Sequence, residues 1–310
     1  MERQSDSVSR RQFIERTLQV SGAGILAGLS LEEQALLASA AESSQAPAAS
    51  LPEQPLPVGV IGKLKVSRLI CGGNLFSGFA HSRDLAYVSA LMKQYFTDEK
   101  IMDTLELCER CGINTTVMRC DEHIVGVLRK YRKERHGKIQ WIAQAYPRGR
   151  NFDNIKLAVD EGAVAAYPKG ELCDAMAAKE QFDILGKAIE FTRSNGLVAG
   201  IGAHLVETLQ AAQQQQLGPD FYVKTCNSVG YQSKEPEAIG EFMKDVAKPW
   251  IAFKVLGAGA VTPQEGFSLA LKMGADFLNV GMFDFQVRED VAIMRDLLAK
   301  ESPRKRPWRS

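Results

Sequence analysis

The chain has 310 residues, is 45% hydrophobic and 24% charged, and carries a formal net charge of +1. That balance gives no reason to expect nucleic acid, and a chain this long and apolar builds its core without disulfides or metals. Six cysteines scattered along it are no disulfide framework, and the Cys108-x-x-Cys111 pair ends a helical pattern, where burial explains it.

In chain order, Ser9-Arg10-Arg11-Gln12-Phe13-Ile14 resembles the twin-arginine export signal of bacteria. The glycine-diluted apolar run Leu18 to Leu31 and the small residues Ala38-Ser39-Ala40 complete a leader, with cleavage expected after Ala40. The run is too short for a stable membrane span. Export of a folded protein commonly serves one that loads a cofactor in the cytoplasm. Residues 41–57, rich in Ala, Ser, Gln and Pro, read as a flexible linker.

From Val58 a short hairpin is predicted, turning at Gly62-Lys63. Eight β-rich apolar runs follow, at 67–73, 113–118, 139–145, 163–167, 197–203, 221–225, 250–256 and 277–282. Helical periodicity fills the gaps, around 98–110, 122–135, 152–160, 177–194, 206–216, 235–246, 263–272 and 286–300. Near-continuous apolar strands fit a parallel sheet covered on both faces, and eight βα units fit a closed barrel. Glycine stops the helix at Gly112, Gly162, Gly196 and Gly274. The last residues, 303–310, form a basic tail.

Active sites of such barrels lie at the C-terminal strand ends. That rule selects Asn74, Arg119, Gln144, Tyr146, Tyr167, Lys169, His204, Lys224, Lys254 and Asp284. His204 closes a glycine-rich strand and suits a general acid or base. Lys224 and Lys254 each interrupt an apolar run, and a lysine inside a barrel has the depressed pKa that a Schiff-base nucleophile needs. Gly257 and Gly259, ahead of a helix starting at Thr262-Pro263, would aim free amides at an anion, as phosphate cradles of barrels do. Metal donors are at hand in His81, His204, Asp121, Glu122 and Asp284, yet no spacing brings them together.

Gly62-Lys-Leu-Lys-Val-Ser-Arg-Leu-Ile-Cys-Gly-Gly-Asn74 resembles the opening of the aldo/keto reductase superfamily, in which a hairpin closes the barrel bottom, and Cys111-Gly-Ile-Asn-Thr-Thr116 continues the likeness. That family reduces carbonyls with NADPH through an Asp, Tyr, Lys and His tetrad. Here Thr116 stands for the Asp, Gln144 for the Lys and Tyr167-Pro168 for the His, with no Tyr at the expected offset, so the resemblance implies ancestry without the tetrad. Phe221-Tyr-Val-Lys-Thr225 is similar to the Schiff-base lysine strand of deoxyribose-phosphate aldolases. Leader and barrel together resemble a group of exported bacterial proteins to which no reaction is assigned.

The resulting expectation is an α/β fold, a (β/α)8 TIM barrel with an N-terminal hairpin: signal peptide 1–40, linker 41–57, barrel 58–302 and tail 303–310. Its expected work is isomerase- or lyase-type chemistry on a sugar or polyol-like small molecule at the C-terminal mouth. The alternatives are an NADP-dependent aldo/keto-reductase-like oxidoreductase and a non-catalytic sugar-binding barrel. His204, Lys224 and Lys254 are the expected catalytic residues; Asn74, Arg119, Gln144, Tyr167, Gly257, Gly259 and Asp284 are expected to bind substrate. No metal ligand is assigned, and no nicotinamide fingerprint identifies a cofactor. The expected partner besides substrate is the twin-arginine translocation machinery, and the expected location is the periplasm or a comparable extracytoplasmic space.

Overall fold

A computed structural model describes residues 56–79, 85–233 and 236–300. The leader, the linker as far as residue 55, His81 and the basic tail lie outside the described residues.

The hairpin forms from β1 (Val58–Ile61) and β2 (Leu64–Ser67), antiparallel, turning at Gly62-Lys63 as the sequence predicts. Ile61, Leu64 and Val66 are buried in one cluster with Ile70, Val198 and Phe277, so the hairpin plugs the barrel interior. Leu56, placed in the linker by composition, is already buried: its backbone passes so close over Gly112 that a side chain there would meet it at 3.0 Å.

Eight parallel strands close the barrel: β3 (Leu69–Gly72), β4 (Thr115–Arg119), β5 (Gln140–Ala145), β6 (Ala165–Pro168), β7 (Val198–Ala203), β8 (Phe221–Thr225), β9 (Trp250–Phe253) and β10 (Phe277–Val280). They pair in sequence order, with β10 returning to β3. Side chains alternate by strand period: Val117, Ile142, Val223 and Ile251 fill the interior, while Met118, Tyr222 and Leu278 pack in the outer cluster beneath the helices. Space is tight inside. A Cβ on Gly200 would come within 2.4 Å of the Phe221 ring, so the missing side chain on β7 is what admits the aromatic on β8.

Ten α-helices are described. They are α1 (Val88–Tyr95), α2 (Asp98–Arg110), α3 (Glu122–Glu134), α4 (Asp153–Asp160), α5 (Gly170–Ala177), α6 (Phe182–Ser194), α7 (Val206–Gln214), α8 (Pro236–Asp245), α9 (Pro263–Lys272) and α10 (Val287–Lys300). Caps set the starts: Thr97 and Asp121 accept from the amides of Lys100 and Ile124, and Thr262 with Glu265 makes a capping box behind Pro263. The four glycine stops all adopt positive φ, from 73° to 93°. Two helices escape the sequence reading, α1 in the loop after β3 and α5 after β6. The run expected as one helix from 177 begins only at Phe182, α5 ending at Ala177. Among the described residues no helix is long and apolar enough to cross a membrane.

Candidate active site

Inward-facing residues at the C-terminal strand ends form a polar row. Strand register sets Arg119 beside Gln144 and Gln144 beside Tyr167. Gln144 Nε2 donates to the Tyr167 hydroxyl at 3.3 Å, and Tyr146 donates its own hydroxyl to Gln144 Oε1 at 3.1 Å. Burial pushes the Tyr146 hydroxyl up to about 12 against the pull of Arg119, and drives Tyr167 higher still. Thr116, aligned with the family's Asp, alternates to the outer face and donates to the Cys71 carbonyl at 2.9 Å. Arg119 is the β4 residue level with Gln144.

The Arg119 guanidinium lies 4.6 Å from the ring centres of both Phe79 and Tyr146, and its Nε donates to Asp121 Oδ2 at 3.1 Å. Lys169, paired with Glu171 at 2.6 Å, sits 5.0 Å from the same Tyr146 ring. Above this row opens a cavity of about 690 Å³. Five expected site residues line it: Asn74, Arg119, Gln144, Lys254 and Gly259. Asn279, an inward residue of β10, lines it too, and its Oδ1 is buried with no hydrogen-bond partner among the described residues. Such an atom calls for a donor from a ligand or water.

Lys254 follows β9 with φ of 58°, a left-handed conformation costing about 1–2 kcal/mol in a non-glycine residue. Its amine stands 5.2 Å from the Tyr231 ring and 5.6 Å from that of Phe253. His204 does not line the cavity. It stacks on Phe253, which does, with ring centres 5.4 Å apart, and its Nδ1 is hydrogen-bonded to Thr225 Oγ1 at 2.7 Å. Asp174 of α5 fixes it from behind, accepting from the His204 amide at 2.9 Å and from Thr208 Oγ1 at 2.7 Å.

Lys224 corrects one expectation. Phe221 and Val223 take the interior positions of β8, so alternation turns Lys224 outward beneath the helices. Its amine donates to the carbonyls of His204 (2.7 Å) and Thr225 (2.9 Å) and to Ser233 Oγ (3.0 Å). Burial does lower its pKa, to about 8, but the amine serves the backbone, away from the cavity. The glycine loop differs in the same sense. The amides of Gly257 and Gly259 donate to Lys254 and Leu256 carbonyls at 3.0 and 2.9 Å, because a 3₁₀ turn over 257–259 captures them. Gly257 itself is buried under Val229.

Asp284 stands apart from the cavity as well, in a smaller polar pocket of about 380 Å³ that also includes Lys100. It receives the Tyr95 hydroxyl on Oδ1 and the Lys100 amine on Oδ2, at 2.8 Å for the latter. Burial opposes its ionisation, yet these two donors hold its carboxyl below the usual range. Tyr95 lines the main cavity, so it forms the partition between the two. Burial, then the Asp284 contact, raises its hydroxyl above the ordinary value.

Sequence reasoning misses Tyr95, Lys100 and Asn279. Asn279 leaves a signal, a polar residue at an inward position of Phe-Leu-Asn-Val; Tyr95 and Lys100 leave none, since no strand end places them. Among the described residues no group of three or more His, Cys, Asp or Glu side chains could hold a metal.

No protein-family model and no curated sequence matches the chain. Solved structures do. A Pseudomonas aeruginosa protein described as an aldo-keto reductase superposes with a TM-score of 0.57 at 18% identity, covering 82% of this chain and 99% of that one. An aldo-keto reductase from Bacillus halodurans in its holo form gives 0.56 at 10%, covering 81% and 99%. A mutant of Gox0644 in complex with NADPH gives 0.54 at 12%, covering 79% and 89%. At these identities the likeness is one of fold: the chain is a (β/α)8 barrel of the shape that aldo-keto reductases have.

Proposed function

We propose that the chain is an exported oxidoreductase of aldo/keto-reductase-like ancestry, converting a small carbonyl or alcohol at the C-terminal mouth with a nicotinamide cofactor and without the family's tetrad. The observation that carries this reading is Tyr95: a phenol on the cavity wall, with Asp284 and Lys100 behind it. A carbonyl becoming an alcohol needs a proton at its oxygen; the Tyr95 hydroxyl, which donates to Asp284 here, would supply it by turning to the substrate, and Lys100 is the neighbour that favours its release.

The residues present fit a nicotinamide. Asn279 Oδ1 lacks a donor that a carboxamide N–H would supply, and Lys254 brings positive charge of the kind a phosphorylated cofactor requires. When bound, the nicotinamide supplies or accepts the hydride. Tyr95 holds the proton at its Oη, Asp284 and Lys100 orient it, and the buried apolar wall at Met92, Phe253 and Val280 excludes water. His204 and Lys224 act as positioning residues in this proposal, keeping Phe253 and the β8 loop in place. Residues 1–40 serve as the twin-arginine leader, and the folded protein works in the periplasm. Lys254, the expected catalytic amine that reaches the cavity, is where an imine-based sugar lyase would act.

Titration of the full chain with NADPH, followed by tryptophan fluorescence, and a carbonyl panel test the reading. The expected result is a saturable signal with turnover, and a fall in kcat of about 100-fold or more in Tyr95→Phe with cofactor affinity unchanged. The absence of both a fluorescence change and turnover of any carbonyl rejects it. A borohydride-trapped adduct on Lys254 would favour the lyase.

A further inference from the structure

We infer that the substrate of this mouth is an amphiphile with an anionic head: a carboxylate or phosphate held by Arg119, with an apolar body running out past Leu91 and Phe285. For its redox chemistry the inference rests on the oxidoreductase reading; for binding it stands on the cavity.

Two features of Arg119 make it a receptor. It is rigid, clamped between Phe79 and Tyr146 at 4.6 Å each, so little freedom remains to be lost on binding. It is also incompletely paired. Asp121 takes only the Nε hydrogen, and the two Nη groups have no partner among the described residues. That open edge of the guanidinium matches two oxygens of a planar or tetrahedral anion.

The surrounding charge agrees. Arg119 and Lys254 line the cavity, and among the described residues no Asp or Glu does. Of the nearby carboxylates, Glu171 is paired to Lys169, and Asp121 meets Arg119 only on the Nε side, away from the open edge.

The rest of the wall is apolar, and its outer lip is unusual. Phe79, Leu91 and Phe285 line the cavity yet remain 41%, 61% and 70% exposed. Phe285 ends a stack in which Phe96, Phe283 and Phe285 follow at 5.2 Å steps. Large apolar side chains gathered at a cavity rim mark a surface that a ligand covers. Polar groups sit deeper, in the amides of Asn74, Gln144 and Asn279 and the hydroxyls of Tyr95 and Tyr231, so a fully hydroxylated sugar would leave this apolar lip uncovered.

Calorimetric titration of the full chain with decanoate, decyl phosphate, decanol and butyrate, without nicotinamide, tests this. At least one ten-carbon anion should bind about tenfold or more tightly than both decanol and butyrate. The better of the two anions identifies the head. Arg119→Met should remove about tenfold or more from anion binding and leave decanol unchanged, while Arg119→Lys keeps the anion preference. Leu91→Ser with Phe285→Ser should weaken decanoate and spare butyrate. Decanol binding as tightly as both anions overturns the inference on the parent chain alone. So does an Arg119→Met chain that keeps decanoate but loses NADPH, which would assign the guanidinium to the cofactor. Failure of carbonyl turnover touches none of these readouts, so the two readings fail separately.

Discussion

Asp290 lies in the first turn of α10 with 1% of its surface exposed, and its Oδ2 has no hydrogen-bond partner among the described residues. A carboxylate near a helix N-terminus is ordinarily favourable, but here burial, reinforced by Glu289, wins and raises the pKa to about 7. The folded pKa exceeds the unfolded one, so between pH 4 and 7 the unfolded chain releases a proton that the folded chain keeps. Stability from this group is therefore highest in acid and falls as pH rises through that window. The shift corresponds to about 4 kcal/mol at most. Asp290→Asn removes this cost and leaves an amide to satisfy, so a net gain of about 1–3 kcal/mol is expected above pH 7. Thermal melting at pH 8 and pH 5 checks it: Tm should rise at pH 8 and change little at pH 5. Equal shifts at both would mean that the carboxyl is not the seat of strain.

The elements explain which parts of the fold could be read from the sequence. Each barrel strand is a short apolar run punctuated by a glycine or a cap, so local pattern and tertiary role coincide and all eight appear within a few residues of their expected places. The helices α1 and α5 each stand between a strand and the longer helix of the same unit, so a reading of one helix per βα unit leaves no place for them. Their effect is large all the same. From α1 comes Tyr95, and from α5 comes Asp174, whose carboxylate receives the amides that open α7. The Lys224 amine ties the other side, joining the end of β7, the end of β8 and Ser233 in the loop after it. Its folded pKa of about 8 lies below the unfolded value near 10.5, so between those pH values the unfolded chain binds a proton that the folded chain lacks. Stability from this group accordingly rises with pH through the window, by about 3 kcal/mol at most. Lys224→Met should lose that slope. It should also be less stable at pH 7 by about 2–4 kcal/mol, because two carbonyls and a hydroxyl lose their donor. Denaturant titrations from pH 7 to 10.5 measure both, and an unchanged slope would place the titrating group elsewhere.

At the scale of the molecule, the barrel rule located the mouth but not the direction in which each side chain points, and that difference separates Lys254, on the cavity, from Lys224, beneath the helices. The same geometry governs the thiols. All six cysteines are free and buried, with Cys71, Cys108, Cys111 and Cys173 fully inaccessible. Burial raises Cys120 and Cys226 to about 12 and lifts Cys111 and Cys173 as well. Cys108 is raised foremost by its hydrogen bond with Cys71, then by burial. The thiolate is the form that attacks disulfides and oxidants, so the folded barrel suppresses both access and reactivity at once. In oxidising surroundings the folded chain would therefore keep its thiols reduced. Native protein at pH 8 should leave Ellman's reagent unreacted over about an hour, whereas about 6 M guanidinium should release all six thiols. Modification should track global unfolding, all six thiols appearing together as denaturant rises. A single thiol reacting ahead of unfolding would show a local opening at that cysteine. Were it Cys108 or Cys111, the pair at the end of α2 would be reachable for redox chemistry after all, and packing would no longer suffice to explain it.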